Sequence, residues 1–345
     1  MNFRYEKGTM ELTCKERVYQ ALNYQESDII PYNISIEASV AERLNEHYGG
    51  RDKWPKYENH FAGMGWQFHR EDLSDELFKD PFGVIWHQGT IFEIVEPVLK
   101  EPSLKGFQWP ELVNDDNIPN IERFCENYKH KFTMYGFGLL FFERAWALRG
   151  MENILMDFVL HREFVEELFD NLMQLHLDAL DKILHLPMDC IRFGDDFGAQ
   201  KGLIMGTPYW REFLKPRLAK MYGKARDAGK FVGIHSCGDN TPIMDDLIEI
   251  GVNILNPFQP EAMDVFEMKK LYGKKITFNG GIGTQVNLPY GTPEEVRQEI
   301  RTCARVLSKD GGYVMETTKP LRPEVPTENA VAALETIIEE VHRVS

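Results

Sequence analysis

The stretch 231-FVGIHSCGDN-240 decides the fold. It is a short run of β-type residues that stops at His235, Ser236, Cys237 and Gly238. Strand side chains alternate between faces, so His235 and Cys237, two apart, share one. An imidazole and a thiolate on one face are two of the donors that zinc sites use. Working outward, similar runs recur at 131-KFTMYGF-137, 189-DCIRFGDD-196, 252-VNILNPF-258, 275-KITFNGG-281 and 312-GYVMETT-318. Helical patterns lie between them, as in 161-HREFVEELFDNLMQLHLDALDKIL-184 and 292-TPEEVRQEIRTCARVLSK-309. Strands alternating with helices mean βαβ units and a parallel sheet. With 29-IIPYNI-34 the count reaches seven, and an eighth strand is poorly marked. No GxGxxG follows the first strand, so the pattern predicts an α/β fold, a (β/α)8 TIM-type barrel, over a doubly wound sheet.

The chain is read as one barrel domain over 1–345, with a hairpin or lid insertion at 58–110. Its Gly punctuation and alternation, as in 80-DPFGVIWHQGTIFEIVEPVLK-100, suggest hairpins. Near the start, 13-TCKERVYQALN-23 predicts a helix with a Thr13/Glu16 capping box. A second helix, 39-SVAERLNEHYG-49, closes on Gly49.

A formal net charge of -15, with no basic cluster, argues against nucleic acid and anionic membrane partners. Five widely spaced cysteines suit a reducing compartment, not a disulfide framework. The first 18 residues lack an apolar leader core and no run of 18 apolar residues exists, so the expectation is a cytoplasmic protein.

In a barrel the chemistry gathers at the C-terminal strand ends. Those ends carry Asp195 and Asp196, His235 and Cys237, Asn256 then Gln259, Asn279, and Glu316. A catalytic zinc keeps three protein ligands and one open position. Cys303 lies on a helix with Val296, Ile300, Ala304 and Leu307 at core spacing, and Cys190 begins its strand at the wrong end. The third ligand is therefore sought in Glu316 or in one of Asp195 and Asp196. Adjacent strand residues face opposite ways, so only one of that pair points inward, and Asp196 is favoured. Glu143 and Arg144 read as a helix-surface pair or a buried pair near the mouth.

These motifs resemble the uroporphyrinogen decarboxylase superfamily, and within it the zinc-dependent corrinoid methyltransferases. The resemblance runs through 13-TCKERVYQALNYQESDIIPYN-33, 80-DPFGVIW-86, 194-GDDFGAQKGLIMGTPYWREFLKPRLAKM-221, 235-HSCGD-239, 278-FNGGIGTQ-285 and 288-LPYGTPEEVR-297. True decarboxylases carry an Arg-rich segment after the first strand. Here 30-IPYNISIEASVAERL-44 has no Arg before Arg43, which argues against a tetrapyrrole substrate. Thiol-methylating members have a further Cys after the last strand, where this chain has Thr318 and Lys319.

The resemblance implies zinc on His235 and Cys237, with Glu316 in place of the missing thiolate. It implies Asp196 and Glu316 as catalytic residues, and Asp195, Asn256, Gln259, Asn279, Tyr313, Trp86 and Glu143 as substrate-binding ones. Phe82 joins Trp86 in the expected lid. The reaction implied moves a methyl group between a small methylated compound and the cobalt of a corrinoid (cobalamin) held by a partner protein. An oligomer is compatible with the sequence. The alternative is a metal-free decarboxylase, with Arg192 and Lys201 as its basic groups.

Overall fold

The computed structural model describes residues 11–66, 70–88 and 93–342. Residues 1–10, read above for a leader, lie outside them, as do 67–69 and 89–92 of the expected insertion. Seven parallel strands form one curled sheet: β1 (Phe61–Gly65), β6 (Phe132–Phe137), β7 (Cys190–Gly194), β8 (Phe231–His235), β9 (Ile254–Phe258), β10 (Thr277–Ile282) and β11 (Tyr313–Thr317), in that order. A separate antiparallel sheet joins β2 (Glu71–Asp72), β3 (Leu77–Lys79), β4 (Ile85–His87) and β5 (Glu93–Glu96).

The segment read as the first strand closes the ring by single bridges. Tyr32 pairs in parallel with Met315 of β11. On its other side the His60 N–H donates to the Tyr32 carbonyl at 3.0 Å. The poorly marked strand is β1, 61-FAGMG-65, which lies inside the span assigned to the insertion. The span 58–110 therefore holds a barrel strand as well as the antiparallel sheet. Two glycines and three exposed or half-exposed positions hid β1 from a reading based on apolar runs.

The period-two pattern organises the interior. Phe61, Phe132, Cys190, Ile254 and Val314 form a buried apolar layer at the strand starts, closed from below by Val18, Ala21 and Leu22. Those three lie on the first helix, Cys14–Leu22, whose N-terminus carries the expected capping box. Two residues further along the strands the inward side chains turn polar: Arg192, Asn256, Asn279 and Glu316 line a cavity of about 210 Å³. The apolar plug and the polar chamber above it are successive layers of the same strands.

The antiparallel sheet is tied to the barrel by one buried carboxylate. Asp80 accepts the N–H groups of Phe82 (3.0 Å) and Val84 (3.0 Å), Trp86 Nε1 (3.1 Å) and Arg144 Nη1 (2.6 Å). Arg144 lies on the helix Phe142–Arg149 that follows β6, and its guanidinium also stacks over Phe82 at 3.9 Å. Arg144 thus pairs with Asp80 and not with Glu143. Trp210, Phe213 and Leu214 of the segment 207–214 are buried within this molecule.

Candidate metal centre and its cavity

Strands β7 and β8 pair in parallel with Gly194 opposite His235. Continuing that register by two residues sets Asp196 beside Cys237, whose N–H donates to Asp196 Oδ1 at 2.8 Å. Asp196, His235 and Cys237 thereby offer donor atoms that all lie within 4.8 Å of one another. Cys237 Sγ is 3.6 Å from His235 Nε2. Tetrahedral zinc with ordinary Zn–S and Zn–N bonds needs a separation of about 3.6 Å between such atoms. The residues present fit the metal.

The two loops that carry these groups are fastened backbone to backbone. Gly198 N–H donates to the Cys237 carbonyl at 3.2 Å and Asp239 N–H to the Ala199 carbonyl at 2.8 Å. A Cβ on Gly198 would come within 2.6 Å of both Asp239 N and the Cys237 carbonyl oxygen. Gln259, expected to meet substrate, instead accepts the Gly238 N–H at 3.1 Å and holds the loop.

His235 is oriented from behind. Its Nδ1 lies 2.6 Å from Asn256 Oδ1, and Arg192 Nη2 lies 2.8 Å from both atoms. Asn256 Oδ1 accepts from both donors when Nδ1 carries the proton, which leaves the Nε2 lone pair facing Cys237. The chain continues from Asn256 Nδ2 to Asn279 Oδ1 (2.8 Å) and from Asn279 Nδ2 to Glu316 Oε2 (2.9 Å). Burial, helped by Arg192, pushes His235 down to about 4, so the imidazole is in its neutral, ligating form. Burial, then Asp196, pushes the Cys237 thiol up to about 11. Metal uptake there must release a proton.

Glu316, expected as the third ligand, is not in the donor cluster; the carboxylate in reach is that of Asp196. Asn33 Nδ2 (3.0 Å) and Asn279 Nδ2 (2.9 Å) hold its oxygens at the end of the amide chain. Burial raises its pKa, against the pull of these two amides. Asp195 points outward, as alternation requires, and accepts the backbone N–H groups of Phe141, Phe142 and Glu143 at 3.1, 2.9 and 2.8 Å. It caps a helix N-terminus and is buried there, committed to these backbone groups. Glu143 sits beside it, pushed up to about 8 by burial, then by Asp195 and Asp196. Tyr313 begins β11 at the far end of the barrel, its hydroxyl donating to the Gly280 carbonyl at 2.8 Å. Trp86 and Phe82 are core residues of the insertion. Lys201 is exposed and away from the cavity, whereas Arg192 lines it. Asn256, Asn279 and Glu316 do meet there. Lys319, noted in the sequence only as the replacement for a cysteine, lines the cavity and its ammonium donates to Cys237 Sγ at 3.1 Å.

The model of one family, uroporphyrinogen decarboxylase (URO-D), matches residues 85–341. The chain belongs to the uroporphyrinogen decarboxylase family. No curated protein sequence matches it. Among solved structures it is similar to a methyltransferase from Methanosarcina mazei, with a TM-score of 0.67 and 17% identity over 95% of this chain and 99% of that one. A looser likeness, TM-score 0.37 and 12% identity, is to a xylose isomerase-like TIM barrel protein from Mycobacterium smegmatis, over 67% of this chain and 79% of that one. The strand order of this chain and the M. mazei likeness agree on the α/β barrel. No helix among the described residues is long and apolar enough to cross a membrane.

Proposed function

We propose that this protein is a zinc-dependent methyltransferase that moves a methyl group between a small methylated compound, such as a methoxylated one, and the cobalt of a corrinoid carried by a partner protein.

 The observation that carries this reading is the Asp196–His235–Cys237 cluster, with its 3.6 Å Sγ–Nε2 separation, at the C-terminal mouth of a barrel. Family membership and the solved neighbour named a methyltransferase support it. When bound, zinc would supply Lewis acidity toward the heteroatom that gains or loses the methyl group. The chain's own residues do the rest. Asp196, His235 and Cys237 would hold the metal, a set with one thiolate where thiol-methylating relatives are expected to have two. Fewer sulfur donors make a harder site, suited to an oxygen or nitrogen leaving group. Asn256 fixes the imidazole through Nδ1, and Asn279 and Glu316 hold Asn256 in turn. The cavity below His235 takes the body of the substrate, with Phe61, Met134 and Ile254 as its apolar floor.

The test is elemental analysis of protein purified without chelator, beside Cys237→Ala and Asp196→Ala. The expected result is about one zinc per chain, lost in both variants. Wild-type protein that takes up no zinc from excess metal would overturn the reading and turn attention to metal-free decarboxylation.

A further inference from the structure

The cavity contains a cation that no carboxylate contacts among the described residues, although Glu316 attracts it from across the chamber. Arg192 rises from the middle of β7 into the chamber, between the apolar plug and the mouth. Its Nη2 donates to Asn256 Oδ1 and faces His235 Nδ1, both neutral groups. Among the described residues it makes no other hydrogen bond and has no carboxylate within 4.0 Å. The buried Arg144 and Arg149 are paired, with Asp80 at 2.6 Å and Asp157 at 2.8 Å, whereas the half-buried Arg192 has no such partner among the described residues. An enclosed, unpaired guanidinium is costly unless an anion completes it.

The rest of the lining repeats the imbalance. Its charged residues are Arg192, Lys319 and Glu316, two cations and one carboxylate. Glu316 faces the same chamber, yet its oxygens are held by Asn33 and Asn279 and not by Arg192. Lys319 likewise has no carboxylate within 4.0 Å among the described residues. Asp196 and Cys237 would be balanced by a divalent metal and leave this excess unchanged.

We propose that the cavity holds an anion subsite, built on the free donor edge of Arg192 with Lys319 as a second charge, so that the substrate is a small methylated carboxylic acid. The guanidinium takes the carboxylate in its planar fork. The methylated end then projects toward His235 and the metal cluster. This deepens the proposed function, and rests on it for where the methyl-bearing end lies and for the metal that balances Asp196 and Cys237. The carboxylate binds and is not consumed.

Isothermal titration of the zinc-loaded full chain tests it with two isosteric pairs, methoxyacetate against methoxyacetamide and benzoate against benzamide. Each acid is expected to bind at least about tenfold more tightly than its amide, one charge-assisted contact's worth of affinity. Arg192→Gln should abolish that preference and Arg192→Lys should restore part of it. Lys319→Met should weaken it while leaving the fold intact, since Lys319 is half-exposed. Amides that bind as well as acids would overturn the proposal. So would a preference that survives Arg192→Gln, or the absence of binding by either acid at millimolar concentration. The wild-type comparison needs no variant to fold. Zinc bound without acid preference defeats this inference alone, and acid preference without zinc defeats the metal reading alone.

Discussion

Asn256 governs the site without touching a metal. Its Oδ1 fixes the tautomer of His235 and its Nδ2 is committed to Asn279, so the amide has one usable orientation. Asn256→Ala leaves all three donors in place and removes only what aims the imidazole. Zinc affinity is expected to fall about 10- to 100-fold, the usual effect of losing such a partner. Chelator competition measures it, and an unchanged affinity would show that packing alone orients His235. The identity of the third donor belongs to the same scale. Cys190 of the apolar plug, Arg192 and Gly194 alternate on the inward face of β7, and the next step is Asp196. That parity was legible in the sequence once the plug residue was known. The sequence alone could not say whether Cys190 faced in or out, so Asp195 and Glu316 competed for the role.

The loops after β7 and β8 act as one element. Their close approach is possible only because Gly198 and Gly238 carry no side chain, and Gly238 adopts φ 81°. Gly198→Ala drives a methyl into backbone atoms at 2.6 Å, which cannot swing away as a side chain would. The expected outcome is a loss of about 1–3 kcal/mol in urea unfolding, together with loss of zinc although all three ligands remain. Retained zinc at full stoichiometry would show that the loops tolerate separation. A second element depends on Asp80, which collects four donors at the root of the insertion. Asp80→Ala strands the buried Arg144 and should cost about 3–5 kcal/mol, read by the same denaturation. Six of the seven sheet strands were legible because their runs are apolar and bounded by Gly or Asp. The seventh, β1, was not, because its outer positions are exposed and its neighbours supply the burial. Trp86 and Phe82 looked like a lid for the related reason that an aromatic residue in a short hairpin carries no mark of which side it packs on.

At the scale of the whole molecule, the barrel keeps its polar chemistry above an apolar plug and buries two histidines away from both. His176 lies on the helix Arg162–Ile183, with Nδ1 2.8 Å from the Leu172 carbonyl and its ring edge-on to Phe137. His60 precedes β1 and its ring packs on that of Tyr32. Burial pushes each down to about 4 from an ordinary 6.5. The sign follows from linkage. Below 6.5 the unfolded chain takes up a proton that the folded one refuses, so this stability is complete above 6.5 and is lost as the pH falls toward 4. At about pH 5 the loss is roughly 2 kcal/mol for each histidine. Buried acids such as Glu143 and Glu316, whose values are raised, act in the opposite sense, and their stabilisation fades as the pH rises. The total pH curve mixes the two, so one histidine must be read as a difference. His176→Gln is expected to be less stable than wild type at about pH 7.5, with that deficit shrinking by roughly 2 kcal/mol at about pH 5. Urea midpoints at the two pH values give the comparison. A deficit that stays constant would mean that the imidazole is not held neutral, and that a route for the proton opens between this helix and the barrel wall.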